Sequence, residues 1–355
     1  MDIRLTSLTD PALAGFDAVI DTRSPSEFAE DRLPGAINLP VLSDEERARV
    51  GTIYRQVSPF DARKLGAALV AANAARHIAG PLAGHGGGWR PLVYCWRGGQ
   101  RSGAFAGILA QIGWRVGRIE GGYKAWRALV VARLAAPVAA PVVVLDGNTG
   151  SAKTEILHLL ARRGHQVIDL EALANHRGSL FGAMPGGQPG QKLFEGRLAL
   201  ALEAIDPARP LLLEAESARI GDLNLPRGIW RAMIAAPRIR LEVPLAARAR
   251  HIAAGYAGLD ADPARLAAII ASLRPLHPAE RIATWLRLAE AGDRVALAEG
   301  LMRDHYDPRY ARHRARHDDG TGRVVVLEDL KDLSRAADRV EAALAALSPI
   351  RPARA

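Results

Sequence analysis

Pro91-Leu-Val-Tyr-Cys95-Trp-Arg-Gly-Gly-Gln-Arg-Ser-Gly103 reads as a buried strand, a tight loop and the first turn of a helix. A loop in that position aims backbone N–H groups at one point, and the helix N-terminus adds partial positive charge. Gly98 and Gly99 let the backbone curl closely without Cβ clashes, and Arg97 and Arg101 add full charges. Such surroundings depress a thiol pKa and would also cradle a tetrahedral oxyanion. A lone cysteine is more often a small buried core residue. The two glycines and two arginines around Cys95 favour chemistry instead, with Cys95, Arg97 and Arg101 as the candidate catalytic residues.

Outward from this stretch, short strands alternate with helices. Ala18 to Asp21 is an apolar run, Ser26 to Glu30 starts a helix behind Pro25, and Leu33 to Pro40 is a turn with a brief strand. Asp61 to His77 and Ser102 to Ile112 carry apolar residues at helical intervals, and Val116 to Ile119 is a strand before Gly121 and Gly122. This order predicts a parallel sheet with helices on both faces. The Pro- and Ala-rich stretch at 133–141 predicts a linker between a domain at 1–132 and a second at 142–355.

The second domain opens on Val142-Val-Val-Leu-Asp-Gly-Asn-Thr-Gly-Ser-Ala-Lys-Thr154, a strand running into a loop and a helix. It fits G-x-x-x-x-G-K-[ST] except that Ala152 replaces the second glycine. The phosphate-binding candidates are Gly147, Asn148, Thr149, Gly150, Ser151, Ala152, Lys153 and Thr154, with Lys153 for the terminal phosphates. If position 152 needs a positive φ, alanine there costs about 1–2 kcal/mol. Leu211 to Glu216 is an apolar strand ending in carboxylates, either a solvated strand end or the place of a magnesium-associated acid. Thr154 and Glu214 are the candidate magnesium ligands, with Glu216 an alternative acid; no metal is firmly assigned. Further strands are expected at 166–170, 238–243 and 323–327, and the rest of the tail as mostly helical.

Forty-seven Lys and Arg against 38 Asp and Glu leave a formal charge of +9, which favours an anionic partner. About half of the residues are apolar, as in a globular protein. Arg133, Pro137 and Pro141 break the longest apolar run, so no membrane partner is expected. The N-terminus has no apolar core segment and the chain has one cysteine, so a cytoplasmic location is expected. Oligomeric state is not legible.

Asp21-Thr-Arg-Ser-Pro-Ser-Glu-Phe28, Leu33-Pro-Gly-Ala-Ile-Asn-Leu-Pro40 and Glu120-Gly-Gly-Tyr-Lys-Ala-Trp126 resemble three blocks of rhodanese domains, whose cysteine carries sulfur or selenium. The Cys-x5-Arg loop is one residue longer than in common thiosulfate sulfurtransferases, which keeps a phosphatase reading open. Asp169-Leu-Glu-Ala-Leu-Ala-Asn-His-Arg-Gly-Ser179 with Phe181-Gly182, Gln188-Pro-Gly-Gln191 with Phe194-Glu195, Glu214-Ala-Glu-Ser217 with Ile220-Gly221, and Leu225-Pro226 resemble blocks of the tRNA 2-selenouridine synthase family. Ala152 and Gly190 depart from it, the latter where a small hydroxyl residue is expected.

The resemblance implies a rhodanese-like domain fused to a P-loop NTPase-like α/β domain with a basic helical tail. It implies replacement of the 2-thio sulfur of wobble 2-thiouridine in tRNA by selenium from selenophosphate, through an S-geranyl intermediate made from geranyl diphosphate. These two compounds are co-substrates, and no tightly bound cofactor is expected. Asp169, His176 and Arg177 lie in the family block; His176 and Arg177 are candidates to face the diphosphate or the anticodon, and Asp169 to support the site or touch tRNA. For tRNA phosphates the tail offers Arg303, His305, Arg309, Arg312, His313, Arg314, Arg316 and His317, and for base stacking Tyr306 or Tyr310. A solvated basic helix is the plain alternative. The rival functions are a rhodanese-type sulfurtransferase with a regulatory nucleotide-binding domain and a tRNA-binding module without catalysis.

Overall fold

The computed structural model describes residues 1–255, 262–317 and 322–347, without the side chains at 313, 316 and 317. The chain divides into two compact units: Met1–Ala136 with Pro189–Ala204, and Pro137–Gln188 with the chain from Ile205 onward.

In the first unit β1 (Asp2–Ile3), β2 (Ala18–Asp21), β3 (Ile37–Asn38), β4 (Pro91–Tyr94) and β5 (Gly117–Ile119) form a sheet in the order β1-β5-β4-β2-β3. Every pairing is parallel. The helices are α1 (Pro25–Glu30), α2 (Asp44–Gln56), α3 (Pro59–Ala79), α4 (Gln100–Gln111) and α5 (Gly122–Ala135). Because side chains alternate along a strand, β4 feeds two cores. Val93 packs with Ile20, Phe105 and Leu109, whereas Leu92 packs with Ile119, Trp126 and Val130.

The Asp21-x-Arg23 pair proves to be structural. Both side chains are wholly buried, with Arg23 Nη2 2.6 Å from Asp21 Oδ2 and 2.5 Å from the Asp31 carbonyl oxygen. The guanidinium lies 4.0 Å from the centre of the Tyr123 ring, and Tyr123 donates to Asp31 at 2.8 Å. Buried charges persist only when paired in this way.

The second unit holds β6 (Val142–Gly147), β7 (Gln166–Ile168), β8 (Leu211–Glu214), the hairpin β9 (Arg219–Ile220) and β10 (Leu223–Asn224), β11 (Arg238–Glu242) and β12 (Arg323–Val326). The main sheet is again parallel, in the order β12-β11-β6-β8-β7. Its central strand β6 is buried at every position, as expected where helices cover both faces. The helices are α6 (Lys153–Arg162), α7 (Leu170–Ala174), α9 (Arg227–Ala235), α10 (Leu245–Gly255), α11 (Pro263–Ala271), α12 (Ala279–Glu290), α13 (Arg294–Leu301), α14 (Asp307–His317) and α15 (Leu333–Ala345), with α8 (Gln191–Glu203) lying between α7 and α9 in the chain. A short π-helical turn, Met302–Tyr306, joins α13 to α14. No helix among the described residues is long and apolar enough to cross a membrane.

One correction concerns α8. The sequence places it in the 142–355 domain, but residues 189–204 belong to the first unit. Its apolar face explains this: Ala199 and Leu200 pack with Trp126 and Val130 of α5, and Arg127 and Arg133 bond its carboxylates and carbonyls. Gly190 is the N-cap of α8 and leaves it without a side-chain cap, the role that a hydroxyl residue would fill. A Cβ on Gly196 would stand 2.8 Å from Cη2 of Trp126. Gly196→Ala should therefore destabilise the first unit by about 1–3 kcal/mol, seen as a lower urea midpoint followed by tryptophan fluorescence.

Candidate functional site

Cys95 follows β4 directly and is 3% exposed. The loop after it is laced to the start of α5, where Tyr123 N–H donates to the Cys95 carbonyl and Lys124 N–H to that of Trp96. Gly98 has φ +66°, and a Cβ there would lie 2.6 Å from the Ile119 carbonyl oxygen. Only glycine meets both demands. The Ser102 hydroxyl donates to Cys95 Sγ at 3.2 Å. Burial pushes the thiol up, but hydrogen bonds from the Ser102 hydroxyl and N–H and the Arg97 N–H, with the Arg101 charge, outweigh it and bring it below its ordinary value.

The two arginines do not act alike. Arg101 is held by Glu27, Nη1 to Oε2 at 2.8 Å, and so reaches Cys95 only as a field. Arg97 contributes its backbone, and its side chain is exposed. Glu27 of the D-x-R-x-x-x-E-F block is thereby explained, since it also accepts from Ser24 at the start of α1.

In the second unit Gly147 to Thr154 wrap the end of β6. Ala152 sits at φ +59°, ψ 30°, the left-handed conformation that normally favours glycine. Lys153 is buried, its Nζ donating to the Gly147 carbonyl at 3.1 Å and lying 3.5 Å from Glu214 Oε1. Thr154 Oγ1 donates to Glu214 Oε2 at 2.9 Å and reaches Glu171 Oε2 at 3.4 Å. Glu171, Glu214 and Glu216 bring one oxygen each within 4.8 Å of the others. Burial and the mutual repulsion of this trio push Glu171 and Glu216 well above the usual carboxylate range. Burial raises Glu214 as well, against the pull of Lys153. Clustered hard oxygens whose repulsion a divalent cation would relieve suit magnesium, which Thr154, Glu171, Glu214 and Glu216 could hold.

The remaining candidates are distributed unevenly. Arg177 lines the phosphate-loop pocket with Lys153, Glu214 and Glu216, whereas His176 does not. Asp169 caps α7 through the Ala172 N–H and bonds His158 at 2.6 Å, so its groups are occupied structurally. Tyr310 lines the same pocket, 5.9 Å from Lys153 Nζ to ring centre, so it faces the phosphate loop and not an exposed base. Arg314 is a further correction: it reaches back to Asp146 at 3.0 Å and Asn148 at 2.6 Å, tying α14 to the loop. His305 is buried against His277 at 2.9 Å, and Arg303 pairs with Asp304. Arg309 and Arg312 remain exposed on α14. The side chains of His313, Arg316 and His317 lie outside the described residues.

Glu171 and Asp146 were missed by the sequence reading. The signal was present in both, since each is an acid at or just beyond the carboxyl end of a parallel strand, where such folds gather ligand-binding groups.

Two outcomes follow from this geometry. Ala152→Gly removes the left-handed strain and should raise the urea midpoint of the second unit by the equivalent of about 1 kcal/mol, whereas Ala152→Val should lower it. Iodoacetamide alkylation of Cys95 should reach its plateau at lower pH than a free thiol, because the thiolate is the reacting form. Ser102→Ala should move that inflection upward, and an unmoved inflection would remove Ser102 as a determinant.

Residues 7–129 match the profile of the rhodanese-like domain, and residues 140–265 that of the tRNA 2-selenouridine synthase AAA domain. A tRNA 2-selenouridine synthase of Chromohalobacter salexigens is 41% identical over 67% of this chain and 64% of its own length. That of Shewanella loihica is 40% identical over 69% of this chain and 66% of its own. The matched region thus spans just under two thirds of these two relatives. A tRNA 2-selenouridine synthase of Bordetella bronchiseptica is 34% identical over 83% of this chain and 88% of its own length. With both domain profiles matched and a relative 34% identical over 88% of its own length, the chain belongs to the tRNA 2-selenouridine synthase family.

Proposed function

We propose that this chain converts wobble 2-thiouridine in tRNA to 2-selenouridine, in the cytoplasm, in two steps served by different loops. The observation that carries this reading is the presence in one chain of a buried thiol with a lowered pKa and a phosphate loop backed by three carboxylates. The names of the relatives supply the tRNA and the selenium.

In the first step the 2-thio sulfur forms a bond to C1 of geranyl diphosphate as the C1–O bond breaks and diphosphate leaves. The P-loop backbone and Lys153 stabilise the charge that builds on the leaving group. Magnesium, when bound by Thr154 and the carboxylates, would neutralise further charge there. Glu214, 3.5 Å from Lys153 Nζ, balances the buried ammonium, and an arriving diphosphate would compete with it for that charge. In the second step the selenium of selenophosphate forms a bond to C2 as the C2–S bond breaks and geranylthiol leaves. Water cleaves the P–Se bond to release phosphate, and Cys95 serves this exchange. The net charge of +9 and the exposed Arg309 and Arg312 suit tRNA phosphates.

Mass spectrometry of nucleosides from 2-thiouridine tRNA incubated with geranyl diphosphate and selenophosphate tests both steps. Cys95→Ser should accumulate S-geranyl-2-thiouridine without selenouridine; normal selenouridine from this variant would overturn the assignment. Lys153→Ala should slow geranyl transfer by roughly 10²-fold or more. Thiocyanate production from thiosulfate with no change in tRNA would favour the plain sulfurtransferase.

A further inference from the structure

Beside the phosphate loop, within the second unit, lies a half-open chamber with a mostly apolar lining, to which Thr149, Ser179, Arg294 and Tyr306 bring the polar groups. Three of its lining residues, Thr149, Ser179 and Ile252, also line the phosphate-loop pocket, so the two spaces share a wall. Phe181, Leu266, Leu297 and Leu301 line it and belong to, or pack against, the apolar cluster of α11 to α13. Ala253 on α10 and Ala298 on α13 keep the space open by their small size.

This pairing of surfaces restricts the ligand. A nucleobase carries several edge donors and acceptors, and leaving them unpaired against carbon is costly. A hydrocarbon chain gains from the same walls at about 0.8 kcal/mol per buried CH₂. A phosphate head with an apolar tail therefore matches both spaces at once, and a nucleoside triphosphate matches only one.

We propose that the chamber takes the tail of a prenyl diphosphate and gauges its length, with Leu266, Leu297 and Leu301 as the stop. This rests on the geranyl-transfer reading above and adds to it the residues that choose the tail. Thr149, which lines both spaces, places the tail beside the loop that grips the diphosphate. The α11–α13 cluster, outside the strands and loops of the phosphate site, thereby acquires a role in specificity.

The test uses the full chain with dimethylallyl, geranyl and farnesyl diphosphates, measuring kcat/KM for transfer to 2-thiouridine tRNA and affinity by calorimetry. The wild-type chain should prefer the ten-carbon over the five-carbon tail by at least about tenfold, well within what five buried carbons can supply. Ala253→Phe, at a half-buried position, should lower that ratio at least tenfold by filling the chamber. Leu297→Ala should raise the fifteen-carbon substrate relative to the ten-carbon one. Thermal melting checks that each variant folds, and either variant alone decides the point. If the wild-type chain transfers geranyl with the expected preference but a folded variant keeps the wild-type order of tails, the tail lies elsewhere. The chamber proposal then fails and the function stands. If the wild-type chain transfers no prenyl group and binds geranyl diphosphate no better than inorganic diphosphate, both fall.

Discussion

The second unit is organised around one electrostatic constraint, the burial of the Lys153 ammonium. It cannot stay charged in that position without partners, and the fold supplies a carbonyl from Gly147 and a carboxylate from Glu214. Supplying Glu214 has its own consequence. The chain leaving the strand that delivers it brings Glu216, and α7 delivers Glu171, so three acids share a space too small for three full charges. The raised pKa values of Glu171 and Glu216 express that conflict. A site in this state favours a ligand that brings cations or proton donors among the acids and an anion to the lysine.

The same logic governs the charges around each loop. Arg101 beside the thiol is held by Glu27, and Arg314 beside the P-loop is held by Asp146. Neither is a free cation waiting for an anion. Their pairing fixes the loop backbones, and the backbone N–H groups then do the local work, as at Cys95, where hydrogen bonds outweigh burial. The strain at Ala152 belongs with these features. Its left-handed backbone persists because the strand before it and the helix after it determine the loop's path.

Much of this was legible before any coordinates. The run at 142–154 carried its strand, loop and helix in the order of its residues, because phosphate wrapping depends on local backbone geometry. The cysteine loop was legible for the same reason, down to Gly98, whose positive φ follows from the tight turn. Less legible was which of several like residues would meet. Asp169 and Glu171 are two positions apart, yet one caps a helix and the other joins the acid trio, since the short helix turns their side chains in different directions.

What the sequence determined by itself was the fold class, the two loops and the family, all of which rest on local patterns and on the spacing of short motifs. Tertiary structure alone decided the rest. It moved α8 to the first unit, because an apolar helix face finds its partner through packing and not through chain order. It turned Arg314 and Tyr310 from the expected tRNA surface toward the phosphate loop, across more than 150 residues of chain. It also built an apolar chamber from α10, α11 and α13, whose lining residues carry no sequence signature beyond being apolar. Long-range packing obeys volume and burial, and these leave no fixed spacing in the chain to read.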